Sequence, residues 1–190
     1  MRVVIFGPPG AGKGTQAEWL TTHLSVPHLS TGEMLREVIA KGTDVGRAAQ
    51  SYIDDGKLVP NDLVIQIVDD RLKEDDCRAG FLLDGFPRTL AQAETLNKLL
   101  DAHSEALDMV IDLAVPNEIL NKRLLDRGRT DDAEDVIQKR FEVFQAETKP
   151  LLEHYDSRGL LRSVDGTGTR DEVRQRIRQL IDQHASANND

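Results

Sequence analysis

A parallel β-sheet covered by helices on both faces is the fold class this sequence predicts, and two observations carry it. Short apolar runs alternate with longer amphipathic segments along nearly the whole chain, as expected of strands joined by crossover helices. The first apolar run also leads straight into a glycine-rich loop and then a helical pattern. A chain of 190 residues suits one domain, 1–190, with small insertions, and is long enough to bury a sizeable core.

Taken in order, Arg2–Phe6, Phe81–Asp84, Met109–Leu113 and Leu161–Val164 read as buried strands, with Pro27–Leu29 as a very short fifth. Lys13–Leu24, Leu90–Ala102, Asn117–Arg127, Glu134–His154 and Arg170–His184 carry helical periodicity. Asn117, just after Pro116, and Asp171 are helix-start signals. Crossovers between parallel strands are expected to be right-handed. Residues 31–72 contain no convincing strand. Their helical stretches Thr31–Lys41, Val45–Asp55 and Asp62–Leu72 are punctuated by Gly42, Gly46 and Gly56, which suggests a helical insertion. The polar stretch Gly128–Ala133 is too short to be a domain, and the tail Ala185–Asp190 is small and polar.

Composition narrows the function. Hydrophobic residues are 39% and charged residues 30%, as in a soluble globular protein. The lone cysteine, Cys77, excludes an intrachain disulfide framework and a four-cysteine zinc site, and a reducing, cytoplasmic compartment is expected. MRVVIF is too short for a signal peptide, and no apolar run approaches a membrane span. A net charge of −9 disfavours bulk attraction to nucleic acid or anionic lipid, so neither partner is expected. An anionic ligand must be held by local clusters of donors.

Those clusters are present. GPPGAGKGT, residues 7–15, follows the first strand and opens a helix. In that context glycines let backbone N–H groups converge on phosphate oxygens, the helix N-terminus adds its dipole, and Lys13 reaches the outer phosphates. The loop departs from the commonest spelling, because Gly14 follows the lysine and Thr15 comes one place late. A metal ligand from the usual hydroxyl position is therefore missing. Asp84, ending the run Phe81–Leu83, is a candidate carboxylate for Mg²⁺, directly or through water. Asp112 and Asp165 also end apolar runs, so for Asp84 alone a helix cap or solvated turn competes evenly; the adjoining Gly85-Phe86-Pro87-Arg88 favours a site. Arg123 and Arg127 share a helix face, Arg129 follows in the polar loop and Arg140 lies on the next helix. Guanidinium groups suit phosphate, but the interspersed acids make surface ion pairing a real competitor. Glu33 can pair with Arg36 in the same helix. Gln92, one turn beyond Arg88, carries an amide able to read a donor and an acceptor on a base edge. The histidines, Trp19 and Cys77 read as structural or exposed.

The ordered set GPPGAGKGTQA, STGEMLR, DGKLVP, GFLLDGFPRT with Gln92, RLLDRGR, and DD before a helix carrying Arg140 resembles the adenylate kinase family from residue 1 to about 181. The short Gly128–Ala133 loop resembles the family's short-lid form. The resemblance implies a five-stranded parallel P-loop core, a helical nucleoside-monophosphate-binding insertion at about 30–59 and a lid at about 126–132. It also implies the reaction ATP + AMP ⇌ 2 ADP, with Mg²⁺, in a monomer. Carried over by position, Gly10, Ala11, Gly12, Lys13, Gly14 and Thr15 hold ATP phosphates. Thr31, Arg36, the Lys57, Leu58 and Val59 backbone, Gly85, Phe86, Pro87, Arg88 and Gln92 bind AMP. Arg127 contacts ATP, Arg123 lies on its adenine or phosphate side, and Gly168 meets its adenine. Arg129 and Arg140 act near AMP and the transferred phosphoryl group, with Lys13 and Arg88 completing the catalytic set. UMP/CMP kinases share the loop and arginines, but tend to carry Ala for Thr31 and Asn for Thr89 and Gln92. Glu33, where Asp is more usual, and Phe144, where Tyr is common, are departures expected to matter little.

Overall fold

The computed structural model describes residues 1–127 and 133–187, the side chains of Val45, Arg127 and Ala187 excepted. Its strands are β1 (Arg2–Phe6), β2 (His28–Ser30), β3 (Phe81–Asp84), β4 (Met109–Ala114) and β5 (Leu161–Asp165). They form one sheet in the order β2-β3-β1-β4-β5, with every pairing parallel. The helices are α1 (Lys13–Leu24), α2 (Thr31–Ala40), α3 (Asp44–Asp54), α4 (Asn61–Leu72), α5 (Leu90–Ala102), α6 (Asn117–Arg127), α7 (Glu134–Val143), α8 (Pro150–Asp156) and α9 (Arg170–Ala187).

Near-continuous apolar runs make strands that are buried on both faces. Val4, Phe6, Leu83 and Val110 pack on one face with Leu96, Leu100 and Tyr155. Val3, Ile5, Leu82 and Ile111 pack on the other with Leu20, Leu120 and Ile177. Losing one such fully buried side chain costs on the order of 2–5 kcal/mol, so these two layers fix where the strand ends point. β1 sits centrally, with β3 on one side and β4 on the other. The crevice beyond the carboxyl ends of such strands is where open α/β sheets bind ligands.

Two expectations change. The long helix expected over Glu134–His154 is divided into α7, a π-helical turn Phe144–Thr148, and α8. Pro150 is the cause: it has no N–H, and its ring crowds the carbonyl four residues back. The preceding turn widens instead, and Lys149 N–H donates to Phe144 O at 2.8 Å. Gly46, within the expected helical stretch Val45–Asp55, lies inside α3. A Cβ there would collide with the Val38 carbonyl of α2, so the glycine permits close helix packing. At the last helix the start signal is Thr169 rather than Asp171. Thr169 N donates to Glu172 Oε2 at 2.7 Å and Glu172 N to Thr169 Oγ1 at 3.3 Å, a reciprocal capping box.

Candidate active site

A cleft of about 650 Å³ opens at the carboxyl ends of β1 and β3. One wall is the loop between β1 and α1. Gly7, Gly10 and Gly12 all take positive φ there. Gly10 also abuts α6, since a Cβ would lie 2.9 Å from Leu120 O. Helix α1 begins with Gly12 in the left-handed region, no side-chain cap and no acid in its first turn. By contrast Ser30, Thr43 and Thr89 cap α2, α3 and α5 through their hydroxyls. The uncapped N–H groups of α1 and its dipole suit an anion. Lys13 Nζ donates to Gly7 O at 2.7 Å and Pro8 O at 3.1 Å, so its charge is held over the loop.

Asp84 ends β3 beside this loop and is only 9% exposed. Burial pushes its carboxyl up, but contact with His28 and the charges of Lys13 and Arg88 outweigh that, leaving it below the ordinary carboxylate value. His28 Nε2 lies 3.4 Å from Asp84 Oδ2, an ion-pair distance that falls short of an aligned hydrogen bond. Asp84 also raises the His28 pKa, against desolvation. The other two strand-end acids behave differently. Asp112 is raised by burial despite Lys13 and does not line the cleft. Asp165 accepts from Thr167 N and Oγ1 at 2.9 and 2.7 Å, the solvated-turn alternative. Asp84 is thus the strand-end carboxylate that is both charged and directed at the cleft. A Cβ on Gly14 would lie 4.0 Å from its Oδ2.

The opposite wall comes from α2, the segment before α4, and the loop after β3. Thr31 Oγ1 donates to Gly85 O at 2.9 Å, and Arg88 Nε donates to the same carbonyl at 2.8 Å. A Cβ on Gly85 would meet Thr31 Oγ1 at 2.7 Å, so only glycine allows this convergence. Arg88 N–H donates to Gln92 Oε1 at 2.7 Å, and its carbonyl accepts from Thr148 Oγ1 at 3.0 Å. The π-helical turn therefore holds the Arg88 peptide in place. Arg36 is exposed at the cleft, and no ion pair joins it to Glu33 among the described residues. Arg123 bridges two walls, donating to Ala11 O at 3.3 Å and Gly166 O at 3.1 Å. Arg140 of α7 reaches the same space.

Residues 5–160 match the family model described as adenylate kinase. The chain is 51% identical over 181 residues to the adenylate kinase of Nocardia farcinica, covering 95% of this chain and 99% of that one. It is 48% identical over 189 residues to the adenylate kinase of Thermobifida fusca, covering 97% of this chain and all of that one. The adenylate kinase of a Cyanothece species is 45% identical over 186 residues. The chain belongs to the adenylate kinase family.

In this adenylate kinase family member, Gly10–Thr15 and the described residues expected from sequence to bind AMP line the one cleft, with Asp84, Arg123 and Arg140. Gly168 does not line it. The Arg127 side chain and Arg129 lie outside the described residues. Sequence reasoning missed His28, Asn61 and Thr148. Each acts on a partner distant in the chain, and no local motif marked it. The capping box at Thr169–Glu172 is written in the sequence as a Thr-x-x-Glu pattern, a stronger start signal than Asp171.

Proposed function

We propose that this chain transfers the terminal phosphoryl group of MgATP reversibly to AMP, giving two ADP. The observation that carries the reading is the sharing of one cleft by an uncapped phosphate loop and the Thr31–Arg36–Arg88–Gln92 set. A nucleotide switch has no use for the second set. An AMP phosphate oxygen attacks the γ-phosphorus, the bond to the β–γ bridging oxygen breaks, and that electron pair leaves on ADP. No side-chain nucleophile is required. Lys13, Arg88 and Arg140, with Arg129, neutralise charge on the moving group, and Arg123 and Arg127 hold ATP. Gly10 to Thr15 supply backbone donors to its phosphates. Thr31, Arg36, Lys57 to Val59, Gly85 to Arg88 and Gln92 seat AMP, and Gly168, outside the open cleft but two residues from Gly166 on its wall, meets the adenine of ATP.

The residues fit Mg²⁺ bound chiefly through nucleotide and water. Asp84 offers one charged carboxylate at the cleft, Gly14 no hydroxyl, and no cluster of three metal-ligating side chains occurs among the described residues. Mg²⁺ commonly binds through one or two carboxylates plus phosphates, and when bound it screens the phosphate charge. Residues about 30–59 and 126–132 act as the acceptor-binding insertion and the lid. Closure ahead of chemistry, known of adenylate kinases, keeps water from accepting the phosphoryl group. A cytoplasmic monomer is the accompanying reading. No helix among the described residues is long and apolar enough to cross a membrane.

A coupled assay with MgATP and AMP, CMP, UMP or GMP tests the proposal. AMP is expected to be the best acceptor by at least about tenfold in kcat/KM. A better pyrimidine acceptor would make this a UMP/CMP-type enzyme. AMP-independent ATP hydrolysis, without ADP disproportionation, would make it a nucleotide-binding module.

A further inference from the structure

Gln92 is 2% exposed, yet it lines the cleft, and both ends of its amide are engaged. Oε1 accepts from Arg88 N–H at 2.7 Å, and Nε2 donates to Asn61 Oδ1 at 2.8 Å. Asn61 is the first residue of α4, and its oxygen also faces Thr89 Oγ1 at 3.3 Å. That hydroxyl accepts from Gln92 N–H as the cap of α5. Its own proton is donated to Asn61 Oδ1.

A backbone N–H, which can only donate, stands at one end of this network. Arg88 N–H demands the Gln92 oxygen. At the other end the Asn61 oxygen accepts from both the Thr89 hydroxyl and the Gln92 NH₂. The two ends support the same orientation. A glutamine amide free to flip could pair with either order of donor and acceptor. This one keeps a second lone pair and a second N–H in a fixed order.

Across its 6- and 1-positions adenine presents a donor and then an acceptor, whereas hypoxanthine and guanine present an acceptor and then a donor. We infer that Asn61 is a specificity-determining positioning residue: it holds the Gln92 amide in the orientation that accepts a 6-amino purine and rejects a 6-oxo purine. The inference rests on Gln92 reading the acceptor base. A fixed amide leaves buried polar groups unpaired against the wrong base, and such mismatches discriminate far more strongly than shape alone.

The test compares AMP and inosine monophosphate as phosphoryl acceptors, since IMP reverses the 6- and 1-positions without adding a 2-amino group. Asn61→Ala removes the acceptor. The IMP-to-AMP ratio of kcat/KM should rise by about tenfold, with KM for AMP increased and KM for MgATP unchanged. Arg88 N–H still favours the original orientation, so discrimination falls without vanishing. Asn61→Asp retains acceptor oxygens and should keep the wild-type ratio. Asn61 is half-exposed at a helix start, so the core is untouched. Should the alanine variant fail to fold, Asn61→Ser, whose hydroxyl falls short of Gln92, takes its place. An unchanged ratio in the truncated variant, a parallel rise in both KM values, or an aspartate variant that behaves like alanine would overturn the inference. If Gln92→Ala leaves KM for AMP unchanged, the base-reading role itself fails, and this inference fails with it.

Discussion

In the proposed reaction, Lys13 is the residue that meets phosphate charge most directly. Its ammonium is held by two loop carbonyls, Gly7 O and Pro8 O, at the mouth of an uncapped helix. An incoming phosphate offers a stronger, charged acceptor to the same donor. Lys13→Met keeps the side-chain length and removes the charge, so kcat should fall by about 10²–10³ or more while the melting curve stays cooperative. Near-normal turnover in a folded variant would remove Lys13 from the mechanism. His28 makes a prediction of a different kind. Its folded pKa is raised, chiefly by Asp84, so their contact contributes fully below the ordinary histidine value of 6.5 and is lost as pH rises through the folded value. Asp84 is lowered, so its own contribution is present above 3.8 and is lost only as pH falls through its depressed value. At pH 5.5 both charges are present. The loss in Tm caused by His28→Gln should therefore be larger at pH 5.5 than at pH 8.5. Equal losses at both values would mean that the ion pair adds nothing.

At the scale of elements, the insertion depends on how closely α3 approaches α2. Gly46 stands at that contact, where a Cβ would overlap the Val38 carbonyl. On propensity alone Gly46→Ala should stabilise α3 by roughly 0.5–1 kcal/mol. The steric conflict with backbone, which cannot swing aside, should reverse the sign. The expected outcome is a higher KM for AMP and a lower Tm, with KM for MgATP little changed; a stabilised variant with unaltered KM for AMP would show that the two helices can part freely. This packing also shows what was legible in the sequence. Lys13–Leu24 and Leu90–Ala102 have the bounds expected from sequence, because a glycine loop precedes one and Thr89 caps the other. The strands were legible because parallel strands buried on both faces are short apolar runs. Helix continuity through Lys149 does not hold, because proline acts on the turn before it, and the widened hydrogen bond leaves no compositional trace. The side chains that hold the site were illegible for a related reason. Thr148 reaches Arg88 across 60 residues, and Asn61 reaches Gln92 across 31. Only the sheet topology brings them together.

For the whole molecule, the two walls of the cleft have unequal support. The glycine loop is built on central β1 between both core layers, whereas the opposite wall includes α2 and α3, which join one layer only, through Leu35 and Ala49. Gly56 brings the end of that insertion against α7, where a Cβ would lie 3.0 Å from Val136 O. In the proposed closure, a shift of the insertion would therefore be felt at the start of α7. Gly42 and Gly56 flank α3 with positive φ, and both are suited to absorb backbone rotation. Fluorescence energy transfer can read the motion between one label in residues 128–132 and one on α3. Native Cys77 interferes little with labelling, because it is 3% exposed and burial pushes its thiol up to about 11. A bisubstrate analogue, which fills both walls at once, should shorten the distance and narrow its distribution more than ATP or AMP alone. An unchanged distance on saturation would mean that the two walls are pre-assembled, and exclusion of water would then have to come from the bound nucleotides themselves.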